Sequence, residues 1–271
     1  MQVALPSDGL IAYKSKSQRA RVATEAWAQA NLYCPNCDSP ALSLSRANTP
    51  AIDYDCPKCK SRFQLKAQSY ALSRRIVDAA YSSMVRAIQE NRTPNLFVLH
   101  YEPATWGIAN LLLIPWFAFP FSAIEKRPAL KPNARRAGWV GCNILLHRIP
   151  PEARIAVIVD GKPFSEDVVR QQYERMRPLA SLQAEQRGWT LDVLNVVRSL
   201  NKPEFSLSDA YRAEARLAHL HPANKHVRDK IRQQLQVLRD LGLVDFLGGG
   251  HYRLREIQVQ ITSRRSRGKR S

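Results

Sequence analysis

The chain is short of acid. It carries 23 Asp+Glu against 41 Lys+Arg, a formal charge of +18 over 271 residues. Such an excess repels itself in a compact fold and is favoured where a polyanion neutralises it. A merely soluble basic protein is the plainer reading of charge alone. Part of the excess is local. The end "SRRSRGKRS" holds Arg264, Arg265, Arg267, Lys269 and Arg270 with no acid, which leaves about +13 on the body. The beginning lacks a charged segment followed by a long apolar run, so no secretion signal is expected. No apolar run is long enough for a membrane span either. "IANLLLIPWFAFPFSAI", residues 108–124, is slightly short and is broken by Pro115 and Pro120, so it reads as a buried strand and its turn. A cytoplasmic, reducing setting follows as the expectation, and with it thiols or metal ligands in place of disulfides. At 45% hydrophobic residues the chain can still bury a core.

Cysteine is also scarce, and its placement is informative. Four of the five, Cys34, Cys37, Cys56 and Cys59, form "CPNC" and "CPKC". Each tight turn brings two sulfurs to one side, and two such knuckles complete a tetrahedron of thiolates around Zn²⁺. With all four positions filled, that zinc is structural. A pair of redox-active C-x-x-C turns is the alternative. Cys142, in "GWVGCN", has no partner and reads as a small buried residue.

The second knuckle lies between "AIDYDC" and "SRFQLKAQ", two short strands able to form a hairpin tied to the metal. Side chains two apart share a strand face. Gln64 and Lys66 therefore point one way, and Phe63 and Leu65 the other, toward the core. In-register pairing brings Asp53 close to Gln64. An Asp on one strand and an acid-x-Lys on the next is an arrangement that holds Mg²⁺ against a phosphodiester. Alone the pattern is weak, because Gln and Lys on one face also make an ordinary solvated surface.

Further along, "SRRIVDAAYSSMVRAIQ" places Ile76, Ala80, Met84 and Ile88 at a four-residue step, which predicts a helix. "NLFVLHY", "ANLLLIPWF" and "RIAVIVD" predict core strands. The loop "KPNARRAGWVGCN" carries Arg135, Arg136 and Trp139. The arginines suit phosphates or guanine edges. Trp139 reads either as a base- or methyl-contacting ring or as a buried anchor of the loop. From about residue 183 the pattern turns helical. "WTLDVLNVVRSL", "SLSDAYRAEARLAHL" and "NKHVRDKIRQQLQVLRDLG" predict three helices, with Ser206 and Asn224 as N-caps and Gly242 as a C-cap. "LVDFLGGGHYRL" then predicts a strand, a turn and a strand, the wing of a winged helix-turn-helix. The third helix buries Val227, Ile231, Leu235 and Leu238. Its other side offers Lys225, Arg228, Arg232 and Gln233, with Asn224 and His226 at its start, a face suited to a major groove. An ordinary solvated face, with His226 as a surface residue, is the plainer alternative.

"KSKSQRARVATEAW", "YCPNC", "RFQLK", "ARRAGWVGCNI" and "KIRQQLQVLRDLGLVDF" resemble, in order, the DpnI-type methyl-directed restriction endonucleases, the Dam-replacing family. The similarity runs over about residues 10–255. The resemblance implies an α/β fold: a PD-(D/E)xK-type nuclease core with a four-cysteine zinc site over residues 1–182, and a winged-helix DNA-binding domain over 183–256. A basic tail, 257–271, is left over. It implies Mg²⁺-dependent cleavage of double-stranded DNA at adenine-methylated GATC, by a monomer. Asp53 then becomes the metal-binding aspartate and Lys66 the catalytic lysine, with Glu25 a further acid from the first helix or an exposed helix residue. Trp139 becomes a sensor of the methyl group. Gln64 departs from the pattern, standing where the family has an acid. Its amide oxygen can coordinate Mg²⁺ but brings no charge. Related nucleases of the superfold use Q-x-K and are active. The alternative is a reader of methylated DNA, or a winged-helix regulator, with an inactivated nuclease site. An RNA-binding zinc protein is the weaker third reading, since no run of exposed aromatics forms a single-strand platform.

Overall fold

A computed structural model describes residues 1–46, 49, 51–72 and 74–256. The basic tail, 257–271, lies outside the described residues. The strands are β1 (Ser43–Leu44), β2 (Tyr54–Asp55), β3 (Arg62–Gln68), β4 (Arg75–Ala80), β5 (Asn95–Tyr101), β6 (Ile108–Ile114), β7 (Ile124–Lys126), β8 (Gly141–Leu145), β9 (Ile155–Val159), β10 (Lys162–Pro163), β11 (Glu204–Ser206), β12 (Val244–Gly248) and β13 (His251–Leu254). The α-helices are α1 (Lys16–Asn31), α2 (Tyr81–Gln89), α3 (Glu166–Met176), α4 (Ala184–Ser199), α5 (Leu207–Tyr211), α6 (Glu214–Leu220) and α7 (Val227–Asp240).

The main sheet has seven strands in the order β1-β2-β3-β5-β6-β9-β10. β3 and β5 run parallel, and the other neighbours are antiparallel. Every residue of β5 is buried, as the apolar run Leu96 to Leu99 at its centre requires of a strand covered on both faces. A second sheet, β4-β8-β7, is antiparallel. The long apolar segment forms β6 and then two single 3₁₀ turns, Trp116–Ala118 and Phe121–Ala123, each entered at a proline.

The extents of two expected helices needed correction. Residues 75–80 are a strand, and only Tyr81–Gln89 is helical. A step of four is a multiple of two, so Ile76 and Ala80 share a face in a strand as well as in a helix. The discriminating signal is the alternation: Arg75 and Val77 outward, Ile76 and Asp78 buried. The second helix of the C-terminal segment is split into α5 and α6.

That segment comprises α4 to α7 and the sheet β11-β13-β12. Ser206 caps α5 through a full capping box with Asp209. Gly242 follows α7 at φ 68, the left-handed position that glycine takes most easily. Asn224 is not the cap of α7. Its Oδ1 accepts the N–H of His226 at 2.8 Å, and His226 occupies the cap position without a side-chain bond. Val227, Ile231, Leu235 and Leu238 are buried as the spacing predicts. Among the described residues no helix is long and apolar enough to cross a membrane.

α4 is buried on nearly every side, from Arg187 to Val197. Its polar residues therefore need partners. Arg187 donates to the Asn91 side chain at 2.9 Å and to the Leu182 carbonyl at 3.0 Å. Asp192 accepts from Ser122 and meets His221 Nε2 at 2.9 Å. Arg198 pairs with Glu152, and Thr190 donates to Gln234 at 2.6 Å. This helix links the strand-rich part of the chain to the helical part.

Candidate active site and metal centre

The four expected cysteines converge. Their sulfurs all lie within 4.8 Å of one another, with Cys34 to Cys59 at 3.6 Å and Cys37 to Cys56 at 3.5 Å. A tetrahedral zinc with bonds of about 2.3 Å spaces its sulfurs about 3.8 Å apart. The donor set and spacing fit zinc. Around it, Asn36 Nδ2 donates to Cys59 Sγ at 3.5 Å and the Cys59 N–H to Cys56 Sγ at 3.4 Å, bonds that stabilise thiolates. Arg170 of α3 closes the site from outside. Its Nε donates to the carbonyl oxygens of Cys34 and Cys37 at 3.2 and 3.0 Å, and its guanidinium lies 5.1 Å from the Tyr33 ring centre.

β2 and β3 leave this cluster as the expected hairpin, with Tyr54 opposite Phe63 and Asp55 opposite Arg62. The ladder stops there. The Asp53 N–H still donates to the Phe63 carbonyl at 2.8 Å, while its carboxylate turns to the strand edge and accepts the Leu65 N–H at 2.7 Å. Asp53 lines an open cleft of about 830 Å³ with Glu25 and Arg21 of α1, Lys16, Arg46, Leu65 and Tyr70. Glu25 accepts from Arg21 Nε at 2.7 Å. Although Asp53 as a residue is exposed, withdrawal of its carboxylate from water holds its pKa above the ordinary aspartate value. The Leu65 N–H and the Lys66 charge oppose that rise, and the Glu25 charge adds to it.

Gln64 and Lys66 leave the opposite face of β3 from Leu65. Gln64 is buried and lines a small inner cavity of about 60 Å³ with Asp78, Met84, Leu96 and Ile144. Lys66 Nζ stands 3.0 Å from Asp78 Oδ1 of β4. Asp78 belongs to the stretch misread as helix, so the sequence reading did not single it out. Strand alternation around Ile76 is the signal that would have found it. Apart from the four cysteines, no group of three or more His, Cys, Asp or Glu side chains converges among the described residues. Asp53 and Glu25 are thus the carboxylates available on the cleft. That is within the one or two that Mg²⁺ ordinarily takes from protein.

Arg135 and Arg136 are exposed on the loop between β7 and β8. Trp139 is half-buried, with the Arg136 guanidinium 4.9 Å from its ring centre. The loop is closed at its base by Leu130 and Trp139, whose N–H and carbonyl meet at 2.9 Å. On α7, Arg232 and Gln233 are exposed and line a groove with Gln236, Arg239, Phe246 and Tyr252 of the wing. The two wing aromatics were not anticipated as part of that face. Lys225 and His226 are exposed at the helix start. Arg228 is also exposed but engaged, with Glu214 at 2.7 Å and the Tyr211 ring 5.3 Å away.

Residues 1–182 match the family model described as DpnI, Dam-replacing family, and residues 185–254 match the Dam-replacing HTH domain. Two consecutive matches span the strand-rich part with its thiol cluster and the helical part with its wing, and on that ground the chain belongs to the Dam-replacing family.

Proposed function

We propose that the protein is a methyl-directed DNA endonuclease that hydrolyses phosphodiester bonds of double-stranded DNA at adenine-methylated GATC. The observation that carries this reading is the position of Asp53 and Lys66. Asp53 stands just before β2 and Lys66 lies on β3, its partner in the hairpin anchored by the thiol cluster, and Asp53 lines an open, basic-rimmed cleft. Zinc in the thiol cluster is structural in this reading. Asp53 and Glu25 would hold Mg²⁺ here, and the ion when bound would supply polarisation of the scissile phosphate and a lowered pKa for the attacking water. The Lys66 ammonium offsets charge that grows on the phosphate oxygens. Arg135, Arg136 and Trp139 read the methylated duplex from the β7–β8 loop, and α7 with its wing reads it through Lys225, Arg232 and Gln233.

One observation favours a second reading, a methylated-DNA binder without catalysis. Position 64 carries no charge and opens on the inner cavity, away from the cleft. A single plasmid, grown with and without adenine methylation and incubated with Mg²⁺ or EDTA, separates the two. Cleavage of the methylated form alone, and only with Mg²⁺, supports the nuclease. Retention of the methylated plasmid without cleavage in either condition supports the binder.

A further inference from the structure

We infer that Asp78 is a positioning residue for the nuclease reaction, holding the Lys66 ammonium at the place where it meets the scissile phosphate. The inference deepens the nuclease reading and rests on it. Lys66 and Asp78 lie on strands of different sheets, and their side chains approach to 3.0 Å. The Asp78 side chain is 4% exposed and that of Lys66 28%, so the pair is inner at the carboxylate and open at the amine. A buried carboxylate is costly unless a charge faces it, and Lys66 is the cation within ion-pair distance among the described residues.

The direction of the effect follows from the side chains. A lysine ends a flexible four-carbon stem and has no preferred place of its own. A fixed anion behind it gives it one. The Asp78 oxygen facing the ammonium makes no aligned hydrogen bond, so the contact is charge against charge. The ammonium N–H groups then remain available to a phosphate oxygen on the open side. The Lys66 side chain stays partly open to solvent while its amine is held, so the ammonium can be reached from outside. Gln64 shares the inner cavity with Asp78 but is neutral, so the anion behind Lys66 comes from the second sheet.

The plainer alternative is that Asp78 only pins β4 to β3. Full-length, zinc-loaded protein and a methylated GATC duplex distinguish the two. Single-turnover cleavage is measured at saturating protein with Mg²⁺, and duplex affinity in EDTA. Asp78→Asn is expected to slow cleavage by about 10²-fold, the scale of an ångström's misplacement, with Kd within a factor of two and zinc content unchanged. Asp78→Glu, which keeps the charge, is expected to recover most of the rate. Cleavage by Asp78→Asn at the wild-type rate overturns the inference. So does a loss of rate that tracks a loss of affinity or melting temperature. Should Asp78→Asn melt below the assay temperature, Asp78→Glu and Asp78→Gln, matched in size, carry the test. The acid must cut faster than the amide, and equal rates overturn the inference. A wild-type protein that does not cut removes the nuclease reading itself, a different result from any of these.

Discussion

Arg170 holds the carbonyl oxygens of Cys34 and Cys37 with one guanidinium nitrogen, at 3.2 and 3.0 Å, across more than 130 residues of sequence. A third carbonyl, that of Ser39, lies 3.4 Å from the same side chain. The first knuckle is therefore fixed by α3 as well as by its sulfurs. Arg170→Ala leaves these carbonyls unpaired beside the metal site. It is expected to destabilise the fold by about 1–3 kcal/mol and to speed zinc loss to a chelator. Urea unfolding and a chromogenic zinc chelator measure the two effects.

Gly141 backs directly onto Trp139. A Cβ built on Gly141 would stand 2.7 Å from two carbons of the indole ring, well inside contact distance. Gly141→Ala therefore forces the ring to move while deleting none of the proposed DNA-contacting side chains. If Trp139 senses the methyl group, this variant and Trp139→Ala should both reduce discrimination between methylated and unmethylated duplexes. Unchanged discrimination in both variants leaves Trp139 as a loop anchor. Binding titrations with paired oligonucleotides give the ratio.

Gln64→Glu puts a carboxylate on the inner cavity beside Asp78, away from the cleft, and is expected to leave the Mg²⁺ dependence of cleavage unchanged. A Mg²⁺ titration in which wild type and variant coincide throughout shows that residue 64 is not a ligand.

The capping box of α5 has a defined pH signature. The Asp209 carboxylate accepts from the Ser206 N–H and hydroxyl, each at 3.0 Å, and its pKa lies below the ordinary aspartate value for that reason, with Lys202 adding to the effect. A depressed folded-state pKa means that the unfolded chain binds the proton more readily. The contribution is present above the unfolded value of about 3.9 and is lost as pH falls through the lower folded value. Asp209→Asn should be less stable than wild type at neutral pH, and the gap should close toward pH 3. Chemical denaturation at both pH values reads it.

Lys225 stands exposed at the start of α7, where a phosphate would lie if this helix enters a major groove. Lys225→Ala should then weaken binding to methylated and unmethylated DNA alike and reduce the salt slope of log K by about 1. Arg232→Ala should instead change the ratio between sites of different sequence by about 1–3 kcal/mol. Identical effects of the two variants on every sequence would mean that α7 touches only backbone.

Much of this architecture was legible because the signals were local. Two C-x-x-C turns can gather four sulfurs whatever the rest of the chain does. "NLFVLHY" is apolar on both faces through its middle, Leu96 to Leu99, which marks a strand covered on both sides. The capping box at Ser206 and the left-handed Gly242 are each written within four residues. What escaped depended on distant partners. Whether Ile76 and Ala80 mark a helix or a strand is settled by β8, which pairs with them from more than 60 residues away. Arg170 is one arginine among many until α3 sets it over the first knuckle. The orientation of Asp53 toward the Leu65 N–H follows from the point at which the hairpin ladder stops, and two-residue periodicity alone does not show where that is.

The burial of α4 bears on how the chain can be dissected. Cutting before this helix would strip Ser122, Asn91 and Glu152 of the groups they meet and would bare Val193, Leu194 and Val197 on the excised piece. Neither fragment would then be a faithful stand-in for its share of the whole. A weakly binding or insoluble fragment would report an exposed seam, and comparisons of the two proposed DNA-reading surfaces are better made by point substitution in the intact polypeptide.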